Sequence, residues 1–562
     1  MGPGELFDQD QVPAVAPVIE GSPSRGRAAA TPRPARPSVA QSATVMAAGT
    51  LLSRLTGFLR ILAIVYVFGY TGAADAYNYA NSVPNVVYDL LLGGILSATL
   101  IPVFVEQFAK RDEEEGIRAI SAILTAIAAA LVVLTVALYA LAPLVIRFYL
   151  LRVHTAAAPD ERAVAVSLLR LFAPQVLLLG GIVVSSALLN ARRRFTAVAF
   201  SPVVNNLIAI TAILVTKVVA DNVAVGPLRH DHRAIWILGI GPTAGYLVQL
   251  VVQLPAMRRA GIRLRPVWDL RHPAVRRVLG LSYWLVGVVV ANQVSLNLIL
   301  VIAGHHTGDF TVYQTAYQFF QLPYALFAVS VASALTPDLA ERWTRRDPRG
   351  FRRRVIIGIR VTLAVMVPAA AGYAVIAEPL IRVAVAHGHA TPAAAHAVAA
   401  TLALFAAGLP GFSAFLLLMR AYQAMQDTRT MFWLYVVENA VTVAAAVVLY
   451  PLMGVKGLAL AWAGPYTVGA VAAVVMLQRR VGSLGGALSV RAMWRVALAT
   501  AAMAAVLLAV RAGWPAGGGD ASLVLELAVS VAAGAATFAY AARSLGIKEV
   551  RPILRLVRRR RL

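Results

Sequence analysis

Two arginines lie inside the first long apolar segment of this chain, where the residues 53–60 read SRLTGFLR. An arginine within a membrane costs roughly 2.5–3.5 kcal/mol on insertion scales, so Arg54 and Arg60 are expected to face a protein-lined or watery interior. Guanidinium groups form fork-like hydrogen bonds with phosphate oxygens. The pair therefore predicts a phosphate-binding function. The alternative is structural: either arginine pairs with Asp75 or Asp89, or extends to the lipid headgroups.

The helical positions of these residues refine that prediction. At about 100° per residue, Arg54 and Arg60 point about 120° apart, Gly57 lies midway between them and Ser53 shares the same sector. A glycine between two long basic side chains predicts a basic notch on this helix.

Two further apolar segments carry polar stripes at spacings of three and four residues. In a helix exposed to lipid such stripes would be costly, so they predict the lining of a shared central cavity. Hydrogen bonding to neighbouring helices as structural support is the alternative. The stripes are Asn78, Asn81, Asn85 and Asp89 in one segment, and Gln314, Tyr317, Gln318, Gln321 and Tyr324 in the other.

A carboxylate and several amides also fall deep inside apolar segments. Glu438 stands beside Asn439, and another segment carries Asn292 and Asn297. An ionisable residue at membrane depth indicates function by default. These residues are candidates for binding a coupling monovalent cation or a proton, although Glu438 in a simple salt bridge is an equal alternative.

The composition sets the class of protein. Hydrophobic residues make up 59% of the chain and charged residues only 14%, which predicts an all-α polytopic membrane protein. The absence of cysteine excludes disulfides, thiol catalysis and cysteine-ligated metals. No ATP-binding, zinc or nucleophile-elbow motif is present, so we expect no cofactor and a transporter rather than an enzyme. The drive should then be membrane potential, an ion gradient or consumption of the product.

Segments of about 20 apolar residues predict fourteen transmembrane helices. They lie near 43–68, 78–106, 117–142, 163–190, 198–220, 234–257, 276–303, 311–339, 355–384, 394–423, 430–450, 455–478, 492–511 and 522–543.

The net charge of +25 is explained better by membrane topology than by binding of nucleic acid. Most Lys and Arg residues fall in even-numbered loops and at both ends, which predicts that both termini are cytoplasmic. Residues 1–40 are predicted to be a disordered tail and 544–562 a basic tail beside anionic lipid headgroups.

An internal repeat organises the predicted spans. Gly69 matches Gly304 and Asp75 matches Asp309 at an offset of about 235 residues. Spans 1–6 and 7–12 therefore predict two six-helix lobes related by an axis along the membrane normal. We call residues 43–257 the first lobe and 276–478 the second lobe; a basic linker at 258–275 joins them, and the helices within 492–543 follow. The positions matching the two arginines, Val289 and Ser295, are uncharged, which predicts that the basic notch belongs to the first lobe alone.

Several motifs resemble a known family. The run SRLTGFLR, Ala-Asp-Ala at 74–76, Pro84-Asn85, LLNARRRF at 188–195 and AYQAMQDTRT at 421–430 are similar to the MurJ/MviN lipid II flippases. These belong to the multidrug/oligosaccharidyl-lipid/polysaccharide exporter superfamily. The resemblance covers about 43–545, and the arginine-rich composition with the Tyr88-Asp89 pair resembles actinobacterial members.

The resemblance implies a flippase that moves undecaprenyl-pyrophosphate-linked peptidoglycan precursor, lipid II, across the bacterial plasma membrane by alternating access. It implies that Arg54 and Arg60 belong to a cationic cavity that meets the pyrophosphate. Cell-wall synthesis proteins are candidate partners. The chain departs from the family pattern at Ile61, Tyr88 and Gln318, where an acidic residue and two arginines are common. A flippase for another polyprenyl-linked glycan and a cation-coupled multidrug exporter remain the alternatives.

Overall fold

A computed structural model describes residues 39–90, 104, 106, 113–153, 155–192, 194–262, 267–269, 273–484, 490–515, 519–547 and 549. Eighteen α-helices occupy these residues, and a π-helical turn (Tyr324–Ala328) follows Pro323. The helices are α1 (Val39–Phe68), α2 (Gly72–Asp89), α3 (Glu113–Tyr149), α4 (Ala158–Phe172), α5 (Gln175–Ala191), α6 (Phe195–Val219), α7 (Val225–His230), α8 (His232–Arg259), α9 (Pro273–Ala303), α10 (Asp309–Pro323), α11 (Val329–Thr344), α12 (Pro348–Val385), α13 (Pro392–Ala407), α14 (Leu409–Ala424), α15 (Thr428–Met453), α16 (Val455–Val481), α17 (Val490–Ala512) and α18 (Asp520–Ser544).

The described helices confirm a polytopic membrane protein. Eleven of them are long and apolar enough to span a bilayer, and the number rises to thirteen when each of two bent helix pairs is taken as one span. Every predicted span except the second overlaps one of these. Residues 91–103 of the second span lie outside the described residues, as do 1–38, most of 544–562 and parts of 258–275. The count of fourteen and the character of the tails stay predictions.

The two bent pairs occupy matching places in the predicted repeat. Helices α4 and α5 meet at Pro174 with a bend of 40°, and α13 and α14 meet beside Pro410 with a bend of 47°. Proline lacks the N–H that would continue the helical ladder, so each break follows from the sequence. The two prolines are separated by about the same offset as the other repeat matches.

Packing within each lobe positions the helices that carry the polar stripes. In the first lobe α2 packs along α4, and α6 packs along α8; in the second lobe α9 and α16 both pack against α15. The lobes meet where α2 contacts α10 and α3 contacts α9. Helices α17 and α18 pack on one another and on α12. The stripes of α2 and α10 therefore face a shared boundary.

Aromatic side chains fill the interior of the second lobe. The Trp462 ring lies 4.8 Å from that of Phe320, 4.7 Å from Phe412 and 4.6 Å from Tyr466, measured between centroids. Edge and tilted contacts of this kind add to apolar burial. They fix α10 against α13, α14 and α16, so the α10 stripe is carried on a rigid face.

Candidate functional site

A cavity of about 370 Å³ lies where the two lobes meet. We call it the central cavity. Its walls come from α1, α2, α9 and α10, and they combine amides, tyrosines, one arginine and one carboxylate. Its lining residues are Arg60, Ile61, Ile64, Asn78, Asn81, Ser82, Asn85, Val86, Tyr88, Asp89, Gln293, Leu296, Leu300, Phe310, Tyr313, Gln314, Tyr317 and Gln318. The structure thus brings together five predicted site residues: Arg60, Asn81, Asn85, Asp89 and Gln318.

Arg60 is the cation of the central cavity. Its guanidinium lies beside the hydroxyl groups of Tyr246 and Tyr77, and its buried Nε has no hydrogen-bond partner. Among the described residues no carboxylate forms an ion pair with Arg60. The alternative of pairing with Asp75 or Asp89 therefore does not describe this conformation, and the guanidinium keeps hydrogen-bond donors for an anion.

Arg54 lies apart from Arg60. It is exposed and, together with Ser53, lines a second cavity of about 350 Å³ between α1 and the start of α6. Its guanidinium also lies close enough to Tyr324 of the second lobe to interact electrostatically with its hydroxyl. Two arginines six residues apart thus face two different spaces.

The sector between these arginines is occupied by another helix. The Asn206 side chain on α6 donates hydrogen bonds of 3.1 Å to the Ser53 carbonyl and to the Thr56 hydroxyl. A Cβ atom at Gly57 would lie 3.5 Å from Asn206 Nδ2. The sector predicted to be a basic notch is therefore packed against α6, and a Cβ at Gly57 would make an ordinary contact there.

Side chains of the α2 stripe make hydrogen bonds along the central cavity. Asn85 Nδ2 donates to the Asn81 carbonyl at 2.7 Å. At the far end, Gln293 Nε2 on α9 donates to Asp89 Oδ2 at 2.9 Å. The stripe therefore presents polar groups to the cavity and also bonds across the lobe boundary, so both predicted roles are present together.

On α10, Gln318 lines the central cavity, as does Tyr88 on α2. These are the two positions at which the chain departs from the arginines common in the resembled family, so uncharged side chains occupy them in the cavity wall. Gln321 lies outside the cavity lining, half-buried beside the Tyr317 hydroxyl.

Asp75 lies beyond the cavity, at the end of the lobes where α1 ends and α10 begins. We call this the outer end, after the predicted topology. The Asp75 carboxylate accepts hydrogen bonds from the Gly308 N–H at 2.6 Å, the Thr311 N–H at 3.0 Å and the Thr311 hydroxyl at 2.5 Å. A carboxylate at a helix N-terminus is stabilised by free N–H groups and by the helix dipole. Asp75 therefore joins the lobes as a cap on α10.

Backbone contacts seal the outer end beside this cap. Gly308 has φ +91, and a Cβ there would lie 2.5 Å from the Tyr70 carbonyl oxygen; Gly69 has φ +64, and its Cβ would lie 2.6 Å from the His389 carbonyl oxygen. Only glycine fits both the backbone angle and the approach. We call these contacts and the Asp75 cap the outer closure.

The predicted coupling-ion residues do not converge on one point. Glu438 is buried and accepts a hydrogen bond of 2.9 Å from Thr442, while its Oε2 has no partner. Asn439 donates to Asn292 Oδ1 at 2.7 Å. Asn297 donates to the Gln293 carbonyl at 2.6 Å and accepts from Tyr149. Within the described part of the chain, no group of three or more His, Cys, Asp or Glu side chains could hold a metal ion.

One functional candidate was missed by sequence reasoning. Arg420 on α14 lies near Tyr324, as Arg54 does, and its Nη1 donates to Gln423 Oε1 at 2.9 Å. The second lobe thus also carries an arginine within an apolar segment, while the assignment of the basic notch to the first lobe alone stays a prediction. The signal was present as an arginine within the apolar run LLLMRAYQ, but it has no counterpart in the first lobe.

The fold and the cavity define a class of protein. Bundled membrane helices surround a polar, cation-bearing space that is closed at one end by contacts between lobes. This arrangement is that of an alternating-access membrane transporter.

Comparisons with known proteins identify the family. The family profile described as "Lipid II flippase MurJ" matches residues 64–528, and the chain belongs to that family. This confirms the predicted family and the class of transporter rather than enzyme.

Curated relatives carry the same description. The Haemophilus influenzae "Probable lipid II flippase MurJ" is 28% identical over 68% of this chain and 75% of that protein. The Burkholderia cenocepacia "Lipid II flippase MurJ" is 29% identical over 73% of this chain and 78% of that protein. The Thermotoga maritima relative is 25% identical over 90% of this chain and 97% of that protein.

Solved structures share the fold. A structure titled "Lipid II flippase MurJ, inward closed conformation" matches with a TM-score of 0.72 at 18% identity, over 89% of this chain and 99% of that one. An inward-facing multidrug resistance transporter of the MATE family matches with a TM-score of 0.61 at 11% identity, over 79% of this chain and 98% of that one.

Proposed function

We propose that this chain moves lipid II from the inner to the outer leaflet of the bacterial cytoplasmic membrane by alternating access. Its family and the names of its relatives support the substrate. The observation that carries the proposal is Arg60: a guanidinium that forms no ion pair with the described residues and lies in a polar cavity where the lobes meet. Such a group suits the pyrophosphate of a lipid-linked sugar.

The cavity offers what the headgroup needs. Burying a pyrophosphate and its sugars in hydrocarbon without partners would cost many kcal/mol. In the central cavity Arg60 offsets negative charge, while Asn81, Asn85 and Gln318 can bond to sugar hydroxyls. The polyprenyl tail stays in lipid, alongside α17 and α18. Opening to the outer side then requires the outer closure to separate.

Arg54 and Arg420 extend the cationic surface beyond the central cavity. They come from different lobes, and both lie near Tyr324. We assign them the first contact with phosphate before the headgroup reaches Arg60.

Coupling is assigned to the second lobe. Glu438 is a buried carboxylate with one oxygen unpaired, and it binds a monovalent cation or a proton in this proposal. Asn439 and Asn292, which bond to one another, would transmit its state between α15 and α9.

The setting follows from the sequence. Both termini face the cytoplasm, and the basic tails contact anionic lipids. Cell-wall synthesis proteins are the partners to search for, and nucleic acid is not among them. In this setting the activity serves peptidoglycan synthesis and cell shape.

The proposal is tested by complementation of a conditional lipid II flippase mutant, with growth and precursor accumulation as readouts. The wild-type chain should restore growth, whereas Arg60→Ala with Arg54→Ala should not. Arg170→Ala is the matched control, because that membrane arginine is exposed and stacks 5.6 Å from the Tyr139 ring centre. Growth supported by the double variant would exclude the proposal.

Flipping assays with defined headgroups separate the other candidates. Transport of a different polyprenyl-linked glycan in place of lipid II would indicate the first alternative. Efflux of cationic drugs, which the fold shared with the MATE transporter makes worth measuring, would indicate the second.

A further inference from the structure

Glu161 is a buried carboxyl group that the proposed transport mechanism does not use. It lies in the first turn of α4, is 2% exposed, and its Oε2 has no hydrogen-bond partner. A Cβ at Gly72 would lie 3.2 Å from this oxygen and 3.6 Å from Thr307 Cγ2. The carboxyl group therefore points into the seam between α2 and the turn that leads into α10, which is part of the outer closure.

A second carboxylate occupies the same seam. Asp75 is also 2% exposed, and the two carboxyl groups interact electrostatically. Asp75 is fully engaged by three donors from Gly308 and Thr311, whereas Glu161 Oε2 has none. Among the described residues no lysine, arginine or histidine forms an ion pair with either. Arg229 pairs instead with the neighbouring residue Asp160, at 2.8 Å.

The electrostatic partners of Glu161 are Asp75 and Tyr79, whereas Arg152 interacts with Tyr450, so neither partner of Glu161 is a cation. Tyr79 on α2 interacts electrostatically with Asp75, Glu161, Asp309 and Tyr450. Asp309 on α10 accepts a hydrogen bond of 2.8 Å from Tyr450 on α15. His305 and His306 interact electrostatically with Asp309. The carboxyl groups of Asp75, Glu161 and Asp309 thus all lie near Tyr79.

Only one of the two seam carboxyls is equipped to hold a charge when the lobes are closed. Asp75 has N–H donors and the positive end of α10. A charged Glu161 beside it would be desolvated, unpaired and repelled by Asp75, and such groups take a proton instead. Separating the lobes would remove the Asp75 donors and admit water to both groups.

We propose that Glu161 is a proton-binding site of the outer closure: it takes up one proton from the outer side as the lobes close there and releases it as they separate. The proton adds to a carboxylate oxygen, and no other covalent bond changes. Resting on the proposed function, this means that resetting the flippase from its outward-open state consumes an external proton, at a site in the first lobe distinct from Glu438.

The test measures the ratio of closed to open outer ends against pH. The chain has no cysteine, so spin labels can be placed at Ala224→Cys and Ala393→Cys, two exposed positions at the outer end of opposite lobes. Pulsed dipolar spectroscopy of the full chain in nanodiscs gives both populations. Because the closed state binds one more proton, its ratio to the open state should fall up to about tenfold per unit rise in pH. Glu161→Gln, which keeps the shape of the protonated group, should stay closed and lose this slope.

Asp160→Asn is the matched control and should keep the slope, since Asp160 is bound to Arg229 at the rim. A slope that persists in Glu161→Gln would assign the proton to another group and overturn the proposal. A closed-to-open ratio that does not depend on pH would also overturn the proposal. The same holds if, at fixed pH, the ratio changes when sodium replaces choline. Lipid II flipping is also measured on the labelled protein that keeps Glu161. Intact flipping without the pH slope in that protein rejects the proton site alone, whereas absence of flipping in it rejects the proposed function.

Discussion

The outer closure and the central cavity are neighbouring parts of one boundary between lobes, and they are built in opposite ways. At the closure, backbone approaches backbone at Gly69 and Gly308, and both oxygens of the Asp75 carboxylate accept hydrogen bonds from the second lobe. In the cavity, side chains line a space, and Arg60 forms no ion pair with any described residue. The close contacts at the closure resist opening until both lobes move, whereas the donors of Arg60 are available to a ligand. The difference separates the residues that set conformation from those that hold substrate.

The largest effect is expected from a substitution that disrupts the outer closure and leaves the central cavity unchanged. Gly308→Ala places a Cβ 2.5 Å from the Tyr70 carbonyl oxygen and also strains a φ of +91. The closed population should fall by at least about tenfold, since strain of this kind costs roughly 1–3 kcal/mol before the clash is added. The spin-label distances at the outer end measure it.

Gly454→Ala is the control for that substitution. Gly454 also has a positive φ, +60, but a Cβ there meets nothing within 4 Å. If both variants shifted the conformation equally, backbone strain rather than the seal would be responsible.

A smaller effect is expected from the cap on α10. Asp75→Asn replaces a charged acceptor of three hydrogen bonds with an amide, and hydrogen bonds to charged groups contribute roughly 1.5–3 kcal/mol. Because the amide keeps one acceptor oxygen, the closed population should drop by up to about tenfold in the same spectroscopic assay. Asp309→Asn is the comparison, because the partner of Asp309 is Tyr450 within its own lobe. An equal drop in both variants would contradict the role of Asp75 as the cap that joins the two lobes.

The smallest effect is expected at the edge of the cationic surface. Arg420 is half-buried and already bonded to Gln423, so Arg420→Ala should reduce the rate of lipid II flipping only severalfold, as expected for a screened charge. Flipping in proteoliposomes measures it, and Arg420→Lys should recover most of the rate. A loss as complete as that of an Arg60 variant would place the main phosphate contact in the second lobe.

Hydrophobic segments predicted much of the fold. The apolar runs located the spans because a bilayer fixes their length, whereas the breaks at Pro174 and Pro410 were found only in the structure. The Asn81, Asn85 and Asp89 stripe was also visible, since helical spacing alone places these side chains on one face.

Contacts between distant segments were not visible in the sequence. Gly57 faces Asn206, and Asp75 binds residues more than 230 positions away. Helical spacing gives the angle between side chains but not the rotation of the helix against its neighbours. For this reason Arg54 and Arg60 could be identified as unusual, while the two separate spaces that they face could not.

The most direct test of the account is the rate at which fluorescent lipid II crosses proteoliposomes containing the full chain, compared between wild type, Arg60→Ala and Arg170→Ala. Losing a charge-assisted contact worth roughly 1.5–3 kcal/mol should slow Arg60→Ala by about 10- to 150-fold. Arg170→Ala should match wild type. Unchanged flipping in Arg60→Ala, with the outer end cycling normally, would contradict the claim that the unpaired cation of the central cavity binds the pyrophosphate.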